Sequence, residues 1–179
     1  MAPAFSAPTK FLDLLLVIVA ILICQASSRR AQQTTLVFFL QDVASGPNAT
    51  VAPITGIRGK DWSYDTFGSL FVVDDPVTLS PNRNSAQVGR AQGLLAASAL
   101  DGSNVHVLLS IVFDNSQYSG SALEIQGTSR QRENYREVSV VSGTGRFRFA
   151  RGFASFETMY YDPATSYSII RFTITLLPE

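Results

Sequence analysis

Along residues 34–177 the apolar positions recur at intervals of two, in short runs cut by Gly, Pro, Asn and Asp. Phe172, Ile174 and Leu176 alternate with Thr173 and Thr175, and Arg146-Phe147-Arg148-Phe149 alternates charge with aromatic ring. Neither pattern fits an amphipathic helix. The runs predict strands over 34–42, 51–57, 67–73, 87–97, 105–113, 121–126, 136–141, 146–158 and 166–177. Pro53 weakens the second. Ser45-Gly46-Pro47-Asn48, Asp74-Asp75-Pro76, Asp101-Gly102, Asp114-Asn115 and Ser142-Gly143-Thr144-Gly145 read as the turns between them. Eight or nine evenly spaced strands with hairpin-length connections imply a single all-β domain, an antiparallel barrel or sandwich. An eight-stranded antiparallel barrel, lipocalin-like in size, is preferred. Closure removes the sheet edges and leaves room for one small ligand.

Residues 1–28 have a different pattern. Lys10 precedes the unbroken apolar run Leu14 to Cys24, and the small residues Ala26-Ser27-Ser28 precede Arg29-Arg30. That order is the one of a secretory signal peptide, and the run is too short to span a bilayer as a helix. The expected division is therefore a signal peptide at 1–28 and a barrel domain at 29–179, with a secreted, extracellular product. Cleavage near Ser28 removes Cys24, the only cysteine, so the mature chain would rely on packing and hydrogen bonds. Asn48-Ala49-Thr50 is an N-glycosylation sequon in an expected loop.

Composition narrows the function. The 179 residues carry 14 Lys+Arg against 14 Asp+Glu, 16% are charged and 46% are hydrophobic. Such a chain is not of the disordered, highly charged class. It also has no net positive field with which to bind nucleic acid. One Cys and one His cannot build a Cys/His zinc cluster. No cofactor, metal, nucleic-acid or membrane partner is expected.

Few residues remain that could do chemistry. Asp42 ends an apolar strand. It is either a turn residue or a desolvated carboxyl whose raised pKa suits acid–base work. Asp74-Asp75-Pro76 reads as a turn more readily than as a carboxyl pair. Arg90, between Gly89 and Gly93, pairs with an acid or binds a ligand, and the two glycines suggest a bend or a close backbone approach. Arg136 opens a strand and is either a surface residue or a cavity cation able to polarise a carbonyl or hold a phenolate. Ser142-Gly143-Thr144-Gly145 lacks the Lys and helix of a phosphate loop. His106 reads as a strand histidine before a catalytic base.

Five blocks in order carry a resemblance. They are Phe38-Phe39-Leu40-Gln41-Asp42, Phe67 to Pro76, Val88-Gly89-Arg90-Ala91-Gln92-Gly93, Leu123-Glu124-Ile125-Gln126-Gly127, and Arg136 to Arg148 followed by Ala150-Arg151-Gly152. In this series the chain resembles the plant dirigent protein family from about Thr34 to Leu177. The resemblance implies an eight-stranded barrel of the allene-oxide-cyclase-like kind, a homotrimer secreted to the apoplast, with no oxidative centre of its own. A separate laccase or peroxidase makes phenoxy radicals from a phenylpropanoid, and the protein directs their stereoselective coupling to a lignan. Alternatively it acts as a cyclase or dehydratase on quinone methides, or binds phenolics without chemistry in defence or the cell wall.

Carried over residue by residue, the resemblance makes Asp42 and Arg136 catalytic and places Ser129, Leu95 and Phe38 against the substrate. The family's second acid, seven residues before the Arg, is replaced here by Ser129. Its tyrosines after the Ala-Gln-Gly block are replaced by Leu94-Leu95-Ala96-Ala97, and its cysteine pair is missing.

Overall fold

Nine strands, most of them alternating buried and more exposed positions, make up the described part of the chain: β1 (Thr34–Val43), β2 (Val51–Thr55), β3 (Leu70–Thr78), β4 (Gln87–Ala97), β5 (Asn104–Phe113), β6 (Ala122–Arg130), β7 (Arg136–Gly143), β8 (Gly152–Asp162) and β9 (Tyr167–Leu176). The structure is a computed structural model that describes residues 13–19 and 33–177. Residues 13–19 are helical, and no helix among the described residues is long and apolar enough to cross a membrane. The expected cleavage region at Ser28, with Cys24, lies outside the described residues.

The strands are hydrogen-bonded antiparallel in the order β1-β9-β8-β7-β6-β5-β4-β3-β2, and β1 also pairs with β3 at Phe39–Thr78 and Leu40–Val77. That last pairing closes β1 and β3–β9 into an eight-stranded barrel, and β2 takes the same edge of β3 as β1, at its Leu70–Val73 end. Closure leaves every long strand with two partners, so no extended edge is exposed.

Two glycines let β4 and β5 lie close together. A Cβ on Gly93 (φ +153°) would sit 2.0 Å from the Leu108 carbonyl oxygen, and one on Gly89 would sit 2.2 Å from that of Val112. These are the close backbone approaches that the Gly89–Gly93 spacing suggests.

The barrel is filled at one end and hollow at the other. Phe38, Phe113, Tyr118 and Phe147 form an aromatic plug, with ring centroids 5.1–5.8 Å apart. Leu123, Phe172 and Ile174 are fully buried in the core with them. Toward the other end lie the C-terminal halves of β1, β4, β6 and β8 and the N-terminal halves of β3, β5, β7 and β9. There the inward side chains leave a cavity of about 760 Å³.

Three differences from the sequence reading bear on the interior. β3 does not stop before Asp74-Asp75-Pro76 but runs through it to Thr78. Pro76 is tolerated because β3 changes neighbours there: β2 pairs only as far as Val73 and β1 begins at Val77. A residue without an N–H costs little at that gap. β6 continues to Arg130 and so carries Ser129 into the wall. Arg146-Phe147-Arg148-Phe149 is no strand. Gly145–Phe147 is a 3-10 turn, Phe149 has φ +67° and is 84% exposed, and β8 begins only at Gly152. The alternation there reflects one ring, Phe147, turned into the plug.

Candidate functional site

The inward face of β1 reads Leu36, Phe38, Leu40, Asp42, and that of β3 reads Phe71, Val73, Asp75, Val77. Each apolar series thus meets a carboxyl at the level of the cavity. The register that closes the barrel pairs Leu40 with Val77. Two residues further on, the same register sets Asp42 opposite Asp75. Both line the cavity and both are buried, at 9% and 3% exposure. Burial raises Asp42 to about 6. Asp75 is pushed to about 8, first by burial and then by the charge of Asp42, against a lowering hydrogen bond from Thr50. Burial, and for Asp75 the charge of Asp42, keep the two carboxyls from both ionising near neutrality.

Asp75 is a site residue that reading Asp74-Asp75-Pro76 as a turn misses. The signal was present in the two-residue phase continuing from Phe71 and Val73. Asp74, one residue earlier, points outward. It accepts from Arg90 Nε at 2.5 Å and from Gln92 Nε2 at 3.0 Å, so Arg90 has a structural ion pair and not a ligand.

Thr50 belongs to the sequon but its hydroxyl works inside. It donates to Asp75 Oδ1 at 2.5 Å and accepts the Val43 N–H at 2.9 Å. Asn48 itself sits in an exposed turn. The connection between β2 and β3 brings Trp62, Ser63 and Tyr64 to the cavity. Tyr64 packs on Phe71, with centroids 4.6 Å apart, and its buried hydroxyl has no hydrogen-bond partner. Burial and the two carboxyl charges push its pKa upward. Nothing in the local sequence marked Tyr64, because it lies in a loop with no alternation to reveal its direction.

Arg136, the first residue of β7, also lines the cavity. Its Nη2 donates to Thr158 Oγ1 at 2.9 Å, its Nε is buried without a partner, and burial lowers its pKa. Ser129 (4% exposed) lines the same wall on β6 and accepts from Gln131 Nε2 at 3.0 Å. Leu95 contributes to the apolar lining. The cavity therefore brings together Asp42, Arg136, Ser129 and Leu95.

Phe38 is a correction. It shares the inward face of β1 with Asp42 but lies four residues deeper, about 13 Å along the strand at ~3.3 Å per residue. There it packs on Phe113 in the plug and is not in the cavity wall. His106 pairs with Ala96 and Thr128 on the barrel wall and does not line the cavity. Among the described residues, no three His, Cys, Asp or Glu side chains gather in a metal-binding group.

An apolar hollow with a buried acid pair and a lone guanidinium can orient a phenol-sized ligand and pass a proton to one of its oxygens.

Comparison with known proteins agrees with the architecture. The chain is 33% identical over 144 residues to dirigent protein 23 of Arabidopsis thaliana, covering 80% of this chain and 77% of that one. It is 35% identical over 127 residues to pterocarpan synthase 1 of Glycine max, covering 70% and 68%. The solved structure of the pterocarpan synthase dirigent protein GePTS1 superposes with a TM-score of 0.74 at 29% identity, covering 83% of this chain and 86% of that chain. The model of the dirigent-like protein family matches residues 33–177. The barrel that carries this cavity belongs to the dirigent-like protein family.

Proposed function

We propose that the chain binds a phenolic quinone methide in its cavity and directs the face on which a nucleophile adds. The observation that carries this reading is the Asp42–Asp75 pair, buried opposite one another with raised pKa values of about 6 and about 8. Near pH 6 to 7 the pair holds a proton that it can lend to the ligand's ring oxygen. As the nucleophile's oxygen bonds to the methide carbon, the exocyclic π pair moves through the ring to that ring oxygen. The ring oxygen takes the proton from the carboxyl pair and becomes a phenol. The nucleophile's own proton returns to the carboxylate, so the pair is restored and the net reaction is addition. Arg136 holds the other end of the ligand and fixes its pose. Between competing poses, about 2 kcal/mol gives roughly thirtyfold selectivity. Likeness to proteins named pterocarpan synthase supports a site of this kind.

A second reading, coupling of phenoxy radicals made by a separate laccase or peroxidase, is favoured by the cavity's size. Its ~760 Å³ lies in the upper part of the range of roughly 300–1,000 Å³ for drug-sized ligands. That leaves space for two single-ring phenols side by side.

On either reading the chain is secreted after cleavage near Ser28, is glycosylated at the exposed Asn48, and assembles as a homotrimer. Val72, Leu94 and Leu108 are register neighbours on β3, β4 and β5 and are 38–47% exposed, an apolar row that a second copy would cover.

Two incubations test the function, each resolved by chiral chromatography. One uses a para-quinone methide generated in situ with an alcohol nucleophile, the other coniferyl alcohol with a laccase. Enantiomeric excess in the first, lost in Asp42→Asn and Asp75→Asn, supports the leading reading. Excess only in the second transfers the function to radical coupling. Racemates in both at every protein concentration leave neither standing.

A further inference from the structure

Among the described residues, Arg136 is the only cationic side chain lining the cavity. The ion pairs of the described residues involve Arg90, Arg130, Arg132 and Arg171, and none reaches Arg136. Its one hydrogen bond goes to a neutral hydroxyl, Thr158 Oγ1, and its Nε is buried with nothing to donate to. A guanidinium stays charged even when desolvated. A half-buried cation without a counter-charge is costly, and an anion arriving from outside removes that cost.

The acids of the same cavity are too far round the wall to serve. From β7 the ring runs through β8, β9 and β1 to β3, so Asp75 stands four strands of eight away, on the opposite side. Burial is the cause acting on Arg136 itself, with no carboxylate steadying it. Near Arg136 the groups are neutral hydrogen-bonders. The pairing of Gln126 with Ser139, carried three residues on, sets Ser129 beside Arg136. Gln131 Nε2 donates to both the Ser129 hydroxyl at 3.0 Å and its carbonyl at 3.2 Å. The Ser129 hydroxyl, already an acceptor, is left with its own proton to give. Arg136 Nε with a neighbouring Nη hydrogen makes the two-pronged fork that fits a carboxylate. Between this end and the acid pair the walls are Leu95, Val107, Leu109, Phe156 and Ile170.

We propose that Arg136, assisted by Ser129, receives a carboxylate carried by the ligand, so that the substrate class of this site is an anionic phenolic acid and not a neutral phenolic alcohol. The inference rests on the phenolic reading above and deepens it. The ring oxygen lies toward Asp42 and Asp75, and the side-chain carboxylate lies toward Arg136. The apolar walls hold the ring between them.

Calorimetric titration of the purified chain at pH 6.5 with 4-hydroxycinnamate and with its methyl ester tests it. At that pH the acid is ionised while the phenol, with a pKa near ~10, is not. Wild type is expected to bind the acid at least about tenfold more tightly than the ester, the scale of one charge-assisted hydrogen bond. In Arg136→Met that preference disappears, and in Ser129→Asp, which sets a carboxylate beside the guanidinium, it reverses. Circular dichroism checks the fold of each variant, and if Arg136→Met does not fold, Ser129→Asp alone decides. Equal binding of acid and ester by wild type overturns the inference and leaves the phenolic reading intact. So does a preference that survives in the variants. No binding of either compound removes both.

Discussion

Thr50 Oγ1 donates to Asp75 Oδ1 across 2.5 Å while accepting the Val43 N–H at 2.9 Å, so one hydroxyl joins the end of β1 to the middle of β3. The bond lies at the level where β3 exchanges β2 for β1 as its neighbour, and the Asp74 N–H donates to the Thr50 carbonyl at 2.8 Å there. Thr50 thus spans the gap in the sheet and holds one oxygen of Asp75.

Replacing Thr50 by Val removes that donor and leaves the Val43 N–H without its acceptor. Losing partners for buried polar groups costs about 1–3 kcal/mol. Thermal unfolding of Thr50→Val should show that loss. The Thr50 bond lowers Asp75, so carbon-detected NMR titration of the side-chain carboxyls should find Asp75 titrating higher than in wild type. An unchanged Asp75 titration would mean that the bond does not operate in solution.

The acid pair sets a pH dependence of stability. Both carboxyls are raised in the folded chain, to about 6 and about 8, from the ordinary 3.8. Between pH 4 and pH 8 the folded state therefore binds more protons than the unfolded state, and stability falls as pH rises across that window. In Asp42→Asn the neighbouring charge is gone, Asp75 titrates lower, and the fall becomes shallower. Denaturant titrations from pH 4.5 to 8.5 on both proteins measure the two slopes. Equal slopes would contradict the coupling.

Phe38 and Leu95 separate stability from binding. Phe38→Ala opens a hole in the aromatic plug and should cost about 3–5 kcal/mol, while the affinity for a phenolic ligand stays within twofold at temperatures where the variant is folded. Leu95→Ala enlarges the cavity itself and should weaken that affinity. Thermal unfolding and calorimetric titration together read both effects. A large affinity loss in Phe38→Ala would return that ring to the binding site.

Gly93→Ala places a methyl group against the Leu108 carbonyl, 2.0 Å away in the native backbone, and at a φ that side chains avoid. The β4–β5 pairing must then part, and the variant is expected to lose most of its thermal transition or fail to accumulate as soluble protein. Gly46→Ala is the control. Gly46 has φ +88° but nothing within 4 Å, so only the left-handed conformation is penalised, by about 1–2 kcal/mol. Similar melting of the two variants would contradict the close approach of β4 and β5.

Local chemistry shows through the amino-acid order wherever a side chain's direction follows from its phase. β4 has the boundaries that its alternation predicts, and Asp42 falls on the inward face because Leu36, Phe38 and Leu40 do. Arg136 becomes legible as a neighbour of the cavity through the resemblance of its block, and Ser129 through its place seven residues before Arg136. Phase alone leaves Arg136 either inward or outward. Asp75 stayed hidden for a different reason. Asp-Asp-Pro has the local preferences of a turn, and only the change of neighbours along β3 makes a proline acceptable inside a strand. Tyr64 and Trp62 come from a connection with no periodicity, so nothing before closure says which way they face. Arg146-Phe147-Arg148-Phe149 misled in the opposite sense, its alternation surviving in a turn where only Phe147 is buried.

The amino-acid order by itself determined most of the period-two strands, their number to within one, and the apolar inner face, because side-chain direction in a strand is set one residue at a time. Depth and register are not local quantities. Phe38 and Asp42 share one face, yet one plugs the barrel and the other lines its hollow. Asp42 meets Asp75 only because β1 closes onto β3, 33 positions apart in the chain. Which side chains share a cavity was decided by that closure, since it alone sets how far along each strand the interior stays filled.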